Sequence, residues 1–514
     1  MKKCQPKKMK TMNSKSVIIA LAIALSATAC TNLEEEFYSV VPSSEYGVTP
    51  HEIKTIAGSA YASLRGFADD VSNCYPASEY VYFLIEAVSD EFCVPQRGSD
   101  WYDNGRYQDA QTHNIKPDNA MVLSGWKYCY AGISTCNFVI QSIEQSGLPK
   151  QEEEVAKAEI RGIRAYYYYQ LLDWFGNVPL STSFTETELP ANSTRAQVYE
   201  FVESELLDII DKLQPQAEYG RFTQPVANTL LARLYINSEV FINTARWQDC
   251  LDACNLVSGY TLTDNVLDNF IQENQHSGEI IFAIPYDHKE GTLGNYFLSL
   301  TYHYNQWMAI SASPGGWSWS VNGPCAQPGV YSSFEAGDER IASMCEGIQY
   351  NIVTHEPILD RTGAVLNYTE NIEDFYDAKE YEGVRISKYE TKEGDVGERD
   401  NDWVLMRYAE ILMMKAECLV RLGRAAEAYP LVSQIRTRSG LTSTPNPITL
   451  EVLDTEWLHE FLFEGLRRSV NIRFGTYFEP WWEKPDVTPV EKAIYPIPAT
   501  ELVKNNKLVQ NPGY

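Results

Sequence analysis

Residues 405–435 read LMRYAEILMMKAECLVRLGRAAEAYPLVSQI, and this stretch decides the fold. Its first half repeats apolar or aromatic side chains every three or four residues, at Leu405, Tyr408, Leu412, Ala416 and Leu419. That spacing matches one face of an α-helix, which turns every 3.6 residues or so. Gly423 interrupts the pattern, which then resumes at Ala425, Ala428, Leu431 and Ile435. The stretch predicts two helices joined by a tight turn, with small residues where they cross.

The same helical pattern recurs on both sides of this hairpin. One pair is predicted over residues 155–172 and 195–213, and another over 225–240 and 246–257. A further helix is predicted from 455 to 473, and residues 50–150 also favour helices, with a loop at 93–120. Helical hairpins that cross at small residues are typical of tetratricopeptide units. The sequence therefore predicts a mostly α, tetratricopeptide-like helical-repeat scaffold.

Residues 286–400 have a different composition. They are rich in Gly, Pro, Tyr, Trp, Asn and Asp, and they lack long apolar stripes. A short strand is predicted just before them, at 279–285. Long loops inside a compact chain are usually functional or disordered, and the many aromatic residues argue against disorder. We expect an irregular, loop-rich ligand-binding subdomain here.

The N-terminus has the layout of a lipoprotein signal. Six lysines precede an apolar run at residues 17–29, and Cys30 follows its small residues directly. We interpret 1–29 as a signal peptide, Cys30 as the lipidation site and 30–48 as an acidic tether. An ordinary cleaved signal with an incidental cysteine is the alternative. A membrane-spanning helix is disfavoured because the run is shorter than the ~20 residues that a bilayer requires.

Charge and cysteine content narrow the class of protein. The formal net charge is −27, and removal of residues 1–29, with six lysines and no acidic residue, changes it to −33. Such a chain repels nucleic acid, so no nucleic-acid partner is expected. Apart from Cys4 and Cys30, nine of the 11 cysteines remain. That sparse, odd number does not indicate a disulfide scaffold, although one bridge somewhere stays open.

Five segments resemble one protein family, in the right order and over nearly the whole mature chain. They are RGIRAYYYYQLLDWFGNVP (161–179), VLMRYAEILMMKAE (404–417), EGLRR (464–468), YPIP (495–498) and QNPGY (510–514). Together they resemble the SusD/RagB family of nutrient-capturing surface lipoproteins. The segment at 464–468 departs from the family pattern, because Arg468 stands where the family usually has Trp.

The resemblance implies a fold and a partner. It implies about four tetratricopeptide-like helix pairs in a single domain at 49–514, with repeats at about 50–280 and 400–480 and the ligand-binding subdomain at about 286–400. It also implies a lipid-anchored protein on the outer membrane, facing the cell exterior. Such a lipoprotein acts as a hinged lid on a SusC-like TonB-dependent transporter.

Two stretches suit carbohydrate capture, since a pyranose packs its C–H face on a flat ring while its hydroxyls need polar partners. They are residues 96–106 and residues 302–307, the latter continuing to 316–320. In the resembled family the ligand site uses loops from these parts of the chain. The stacking candidates are Trp101, Tyr102, Trp307, Trp317 and Trp319. The candidate hydroxyl partners are Asp100, Asp103, Asn104 and Arg106.

No catalytic motif accompanies these stretches. The sequence has no GxSxG, HExxH, P-loop or GxGxxG pattern, and its seven histidines are scattered. We therefore expect a binding protein that is not an enzyme and uses neither cofactor nor metal. The predicted function is capture of an extracellular oligosaccharide and its delivery to the transporter. Peptide capture by a RagB-like relative, or a repeat scaffold that binds no ligand, remain the alternatives.

Overall fold

The structure is a computed structural model that describes residues 50–66, 79–216, 218–287, 295, 297–306, 320–395 and 399–514. The predicted signal, Cys30 and the tether lie outside the described residues, as do Trp307, Trp317 and Trp319. In the part that is described, no helix combines the length and apolar character needed to cross a membrane.

Helices dominate the described residues, which confirms the predicted mostly α fold class. In chain order they are α1 Pro50–Ser63, α2 Glu79–Glu86, α3 Arg106–Gln111, α4 Ala120–Gln145, α5 Lys150–Trp174, α6 Arg195–Ile209, α7 Gln224–Ile236, α8 Ser238–Ile242, α9 Trp247–Asn255, α10 Phe297–Thr301, α11 Tyr408–Arg421, α12 Ala425–Arg438, α13 Leu450–Glu460, α14 Arg467–Phe474 and α15 Ala499–Lys504.

The strands are short and pair two by two. They are β1 Phe92–Cys93, β2 Ile280–Ile284, β3 Cys325–Ala326, β4 Met344–Cys345, β5 Gly347–Ile348, β6 Asn367–Tyr368, β7 Arg385–Ile386 and β8 Trp403–Arg407. The antiparallel pairs are β1 with β3, β2 with β8, β4 with β7, and β5 with β6. Strand β2 confirms the strand predicted at 279–285.

Neighbouring helices pack in sequence, α4 on α5, α5 on α6, α7 on α9 and α11 on α12. Two glycines allow the closest approaches. A Cβ atom on Gly132 of α4 would lie 2.1 Å from the ring of Tyr167 on α5, and one on Gly162 would lie 2.3 Å from the ring of Phe222. Any larger residue at either position would push the packed partners apart.

From Ala158 onward helix α5 is almost entirely buried, whereas its first turn is exposed. Its four consecutive tyrosines, at 166–169, are all buried, although successive side chains on a helix point in different directions. The C-terminal part of the chain covers its end. The Tyr495 N–H donates to the Trp174 carbonyl at 2.7 Å, and the Asn511 amide donates to the Phe175 carbonyl at 2.7 Å. Segments far apart in sequence therefore complete the surroundings of α5.

The hairpin that opened the sequence argument forms as α11 and α12, with Leu412 buried. The predicted start of the first helix is wrong. Residues 403–407 form strand β8 instead, and Leu405 is half-buried on that strand. Strand β2 pairs with this segment, from Ile280 opposite Arg407 to Ile284 opposite Trp403. Backbone pairing with a distant strand overrides the local helical period.

The single helix predicted at 455–473 is also wrong, since the chain turns between α13 and α14. Phe463 and Gly465 have φ angles of 62° and 78° within the turn. Two buried carboxylates accept its backbone N–H groups, Glu91 from Phe463 at 2.8 Å and Glu86 from Gly465 at 2.5 Å. These long-range hydrogen bonds compensate for the intrahelical ones that the turn gives up.

A buried ionic cluster joins the loop-rich segment to α12, α13 and β8. Arg407 is 1% exposed and contacts Glu279 at 2.8 Å, Glu460 at 2.6 Å and Glu464 at 2.7 Å. We call it the carboxylate-paired cluster; its members are Arg340, Arg407, Arg436, Arg438, Asp338, Glu279, Glu456, Glu460 and Glu464. Its guanidinium groups are balanced by carboxylates inside the core.

Candidate ligand-binding site

The first predicted stretch is a strained loop between β1 and α3. Arg97 and Asp100 exchange two backbone hydrogen bonds, of 2.9 and 3.0 Å, which close a tight turn. Trp101, Asp103 and Asn104 follow with φ angles of 64°, 41° and 60°. Non-glycine residues seldom adopt such angles, and outliers of this kind cluster at binding sites.

The buried side chain of Arg97 holds this loop in place through hydrogen bonds to the loop-rich region. Its Nε donates to the Asn322 carbonyl at 2.8 Å and its Nη2 to the Glu382 carbonyl at 2.9 Å. Arg97 is 3% exposed. The loop is therefore attached to two segments of the loop-rich region.

The second predicted stretch meets the first at Tyr304. The Tyr304 hydroxyl donates to Oδ2 of Asp100, one of the predicted polar ligand partners. That carboxylate oxygen is therefore already hydrogen-bonded within the protein. The Arg361 guanidinium lies over the Tyr304 ring at 3.9 Å and also contacts Glu380. Tyr304 is half-buried, with its hydroxyl and ring both held in place. The structure thus brings the loops 96–106 and 302–306 together.

Trp101 does not present the open ring that the sequence predicted. It is 7% exposed, and its Nε1 donates to the Val321 carbonyl at 2.7 Å. Its ring packs near Phe83 and Tyr107, with centroids 6.1 and 5.7 Å apart, and fills the space that Gly323 leaves. As a correction, Trp101 is a core side chain under the loop, because aromatic rings bury large areas.

Tyr102 is the exposed aromatic residue of the first loop. It is 53% exposed and is followed by the exposed side chains of Asp103 and Asn104. Arg106 lies behind them, 4.9 Å from the ring centroid of Tyr80 and 3.7 Å from the Asp103 carboxylate. An accessible ring beside carboxylate, amide and guanidinium groups can pack on a sugar face and bind its hydroxyls.

A cavity of about 340 Å³ opens at the residues that follow Tyr102 in the chain. Its lining includes the predicted polar residues Asp103, Asn104 and Arg106, together with Asp109, Lys116, Asp118, Asn119 and Ala120. Lys116 is paired with Asp109 at 3.2 Å. The cavity is polar, and most of its charges are negative.

Sequence reasoning missed three residues of this surface. Tyr304 lay inside a quoted stretch but was not singled out, whereas Arg361 and Glu380 follow 57 and 76 residues after it without a motif. Glu380 also contacts the buried His303, whose Nε2 lies 2.9 Å from its Oε2. Burial lowers the pKa of His303, and Glu380 opposes that effect only in part. Only the folded chain brings these side chains to one place.

A second cavity lies within the helical part. Its charged lining residues are already paired, Arg233 with Glu410 at 2.6 Å and Arg468 with Asp173 at 2.9 Å. Paired, buried charges of this kind stabilise helix packing. The surface around Tyr102 and Tyr304 is therefore the candidate ligand-binding site.

Two family models match separate parts of the chain. Residues 361–488 match the model described as the SusD family. Residues 72–236 match a model described as starch-binding associating with outer membrane.

Relatives and solved structures agree with these matches. The chain is 27% identical over 442 residues to the starch-binding protein SusD of Bacteroides thetaiotaomicron, covering 76% of this chain and 78% of that one. It is 24% identical to SusD-like protein P2 of Formosa agariphila, covering 97% and 99%. A structure of a laminarin binding SusD-like protein superposes with a TM-score of 0.72 at 23% identity, covering 90% and 99%. Two family models, full-length relatives and a shared tetratricopeptide-like fold lead to one conclusion: this chain belongs to the SusD/RagB family.

Proposed function

We propose that this protein captures an oligosaccharide at the surface formed by loops 96–106 and 302–306. The observation that carries the proposal is the exposed ring of Tyr102, which directly precedes the cavity residues Asp103 and Asn104. The hydrogen bond between Asp100 and Tyr304 joins this loop to the second stretch. Relatives described as starch-binding and laminarin binding support a glycan as the ligand class.

The chemistry of the surface favours a neutral glycan. Asp103, Asp109 and Asp118 line the cavity, and the whole chain carries a formal charge of −27. Carboxylates accept hydrogen bonds from sugar hydroxyls but repel sulfated or uronic chains. Trp307 follows Gln306 directly in sequence, and we retain it with Trp317 and Trp319 as proposed stacking residues.

Weak binding fits a protein that passes its ligand on. If two or three rings each contribute about 1 kcal/mol beyond general contact, the Kd falls in the millimolar to micromolar range. We infer that the protein is anchored to the outer membrane by lipid at Cys30, faces the exterior and delivers the glycan to a SusC-like TonB-dependent transporter. The description of the model matched at 72–236 supports the outer-membrane location.

Affinity electrophoresis through gels containing starch or laminarin, followed by a glycan array, tests the binding surface. We expect Tyr102→Ala and Tyr304→Ala to weaken retention, each by about fivefold in Kd, which corresponds to about 1 kcal/mol. Phe184→Ala is the control, since that ring is 50% exposed and lies between α5 and α6, away from both loops in the chain. Unchanged retention of both site variants on a glycan that binds the native chain would refute the site.

Further readouts separate the remaining alternatives. Retention of peptide digests, with no glycan bound, would support the peptide-capturing alternative, and binding of neither would support the scaffold. New reducing ends after incubation with a bound glycan would overturn the expectation that the protein is not an enzyme. Mass spectrometry of the protein purified from membranes would reject the lipid anchor if Cys30 carried no acyl group.

A further inference from the structure

Cys93 and Cys325 meet directly beneath the candidate site. They are paired opposite each other in the two-stranded β1–β3 ladder, although 232 residues separate them in sequence. Their sulfur atoms lie 3.6 Å apart, and both side chains are fully buried. Opposite residues of an antiparallel pair have Cα atoms roughly 4.5–5.5 Å apart, within the roughly 4.4–6.8 Å that a disulfide spans.

The surroundings hold the two sulfurs together. Both cysteines belong to a small apolar cluster with Ile372, Phe375 and Ala378. A Cβ on Gly383 would come within 2.4 Å of the Cys325 sulfur, so glycine leaves the room that this sulfur occupies. The sulfurs need to approach by about 1.5 Å more to reach bonding distance, which side-chain rotation within one ladder provides.

Two guanidinium groups lie against this pair. Arg97 Nη2 is 3.8 Å from the Cys325 sulfur, and Arg385 donates to the Glu382 carbonyl at 2.7 Å and to the Asn322 side-chain oxygen at 2.8 Å. Among the described residues, neither arginine forms an ion pair with a carboxylate. Their positive charge is therefore available to a neighbouring thiolate.

The two thiols differ in acidity as a result. Burial alone would raise the pKa of Cys325, but the hydrogen bond from Cys93 and the charges of Arg97 and Arg385 lower that pKa to about 7. Burial and the same sulfur contact raise the pKa of Cys93 well above its usual value. The pair thus contains one thiolate-prone sulfur and one thiol, the combination that disulfide exchange uses.

We propose that Cys93 and Cys325 form a disulfide across the β1–β3 ladder, and that this bond fastens together the two segments that carry the candidate ligand-binding loops. Loop 96–106 begins three residues after Cys93, and residues 320–323, which pack on Trp101, end two residues before Cys325. The bond itself does not depend on the proposed ligand. The proposed outer-membrane location supplies the oxidising surroundings in which disulfides persist.

The reaction requires a disulfide oxidant, either a protein disulfide of the export pathway or a small-molecule disulfide. The Cys325 thiolate attacks one sulfur of the oxidant, forms a mixed disulfide and releases the other sulfur as a thiolate. Cys93 loses its proton and attacks the Cys325 sulfur, which releases the second sulfur of the oxidant. The cysteine pair loses two electrons and two protons, and the disulfide of the oxidant is reduced to two thiol groups. Because both sulfurs are buried in the folded chain, the oxidant reaches Cys325 only when the loops over the ladder open, while Arg385 on β7 stays beside the sulfur.

The test uses the full chain, exported with its own N-terminal segment and purified without reductant. Free thiols are alkylated in denaturant after equilibration with excess glutathione disulfide, and the digest is analysed by mass spectrometry. We expect a peptide pair linked through Cys93 and Cys325 that disappears on reduction, while Cys129 is alkylated in every sample. Alkylation of both Cys93 and Cys325, or linkage of either to another cysteine, would overturn the proposal.

The fastening role has separate readouts. We expect reduction to increase the unfolding equilibrium constant of the native chain by about tenfold or more and to accelerate hydrogen exchange in loop 96–106. Cys93→Ser should abolish the reductant effect, whereas Cys129→Ser, a buried thiol on α4, should retain it. Equal exchange in the oxidised and reduced chains would reject the fastening role. Glycan retention is not part of either readout, so failure of the proposed function leaves both intact.

Discussion

Two groups of buried arginines differ in the acceptors that their guanidinium groups bind. In the carboxylate-paired cluster, Arg407 faces Glu279, Glu460 and Glu464 at 2.6–2.8 Å. Beneath the candidate site, Arg97 and Arg385 donate to backbone carbonyls and to the Asn322 side chain. Apart from Nε of Arg438, the buried side-chain nitrogens of both groups have hydrogen-bond acceptors, but only the first group neutralises its charge.

The difference appears in the acidity of the neighbours. Although burial opposes ionisation, Arg438, Arg407 and Arg340 keep the pKa of Glu460 well below its usual range. Burial and the nearby charge of Arg385 lower the pKa of Arg97 to about 10, and the same pair of arginines promotes the thiolate of Cys325. An arginine paired with carboxylates has its charge neutralised. An arginine paired only with carbonyl groups keeps its positive charge, which lowers the pKa of a neighbouring thiol.

Removal of Arg407 should have the largest effect. Arg407→Ala leaves three carboxylates buried around a missing cation, and we expect a loss of about 3–5 kcal/mol in the free energy of unfolding. Chemical denaturation measures it. Arg424→Ala, which breaks an exposed pair with Glu427, is the control and should leave the midpoint unchanged. If Arg407→Ala lowered the free energy of unfolding only slightly, charge pairing would not distinguish the two arginine groups.

The next largest effect on stability should come from Glu86, whose buried carboxyl is paired with that of Glu91 and not with a guanidinium group. Burial raises the pKa of Glu86 to about 7, from 4.5 in an unfolded chain. Between these two pH values the Glu86 carboxyl is protonated in the folded chain and ionised in the unfolded one, so its contribution to stability falls as pH rises from about 4.5 to about 7. We expect a loss on the order of 2 kcal/mol over that window.

Glu86→Gln tests the assignment, because its amide oxygen can still accept the Gly465 N–H without carrying charge. In denaturation between pH 5 and pH 8, roughly the span across which the Glu86 carboxyl ionises, the stability of the native chain relative to this variant should fall as pH rises. Glu427→Gln, at an exposed carboxylate, should keep the native slope. Burial lowers the pKa of His113 and His459 to about 3, so both add stability as pH rises, and only the difference between the native chain and Glu86→Gln isolates the Glu86 carboxyl. A difference in the free energy of unfolding that does not fall as pH rises would contradict the raised pKa.

Removal of Arg97 should cost less than removal of Arg407. Arg97→Gln leaves carbonyl acceptors of Asn322 and Glu382 unpaired but exposes no buried carboxylate, so we expect a loss of about 1–2 kcal/mol in denaturation experiments. A loss equal to that of Arg407→Ala would show that charge balance does not separate the two groups.

The smallest expected effect is on the acidity of Cys325. In the reduced protein, Arg97→Gln should raise the pKa of Cys325 above about 7, towards the ordinary thiol value of 9.0, since one of its two cations is lost. Ultraviolet thiolate absorbance against pH measures the shift, and Cys325→Ser identifies the signal. An unchanged titration would assign the low pKa to the Cys93 hydrogen bond and Arg385 instead.

The local period of apolar residues was sufficient to predict the repeat helices, but not the contacts between distant segments. The α11–α12 hairpin follows from side-chain spacing alone, whereas strand β8 and the turn at Phe463 depend on β2 and on Glu86 and Glu91, far away in sequence. No local pattern announces such partners. The family resemblance compensates in part, because it identified the fold before any contact was known.

The site was predictable in composition but not in detail. Loops 96–106 and 302–306 do meet, yet Trp101 turns inward because Gly323 leaves a space for its ring. Arg361 and Cys325 carried no signal, since their partners lie 57 and 232 residues away. A sequence identifies which side chains can stack; only the folded chain decides which of them remain accessible.

The enclosure of α5 has a consequence for biogenesis. Tyr495 and Asn511 complete the hydrogen bonding at the end of a helix that begins at Lys150. In a chain made from its N-terminus, these hydrogen bonds cannot form until the final residues have been added. The end of α5 is therefore among the last parts of the fold to be completed.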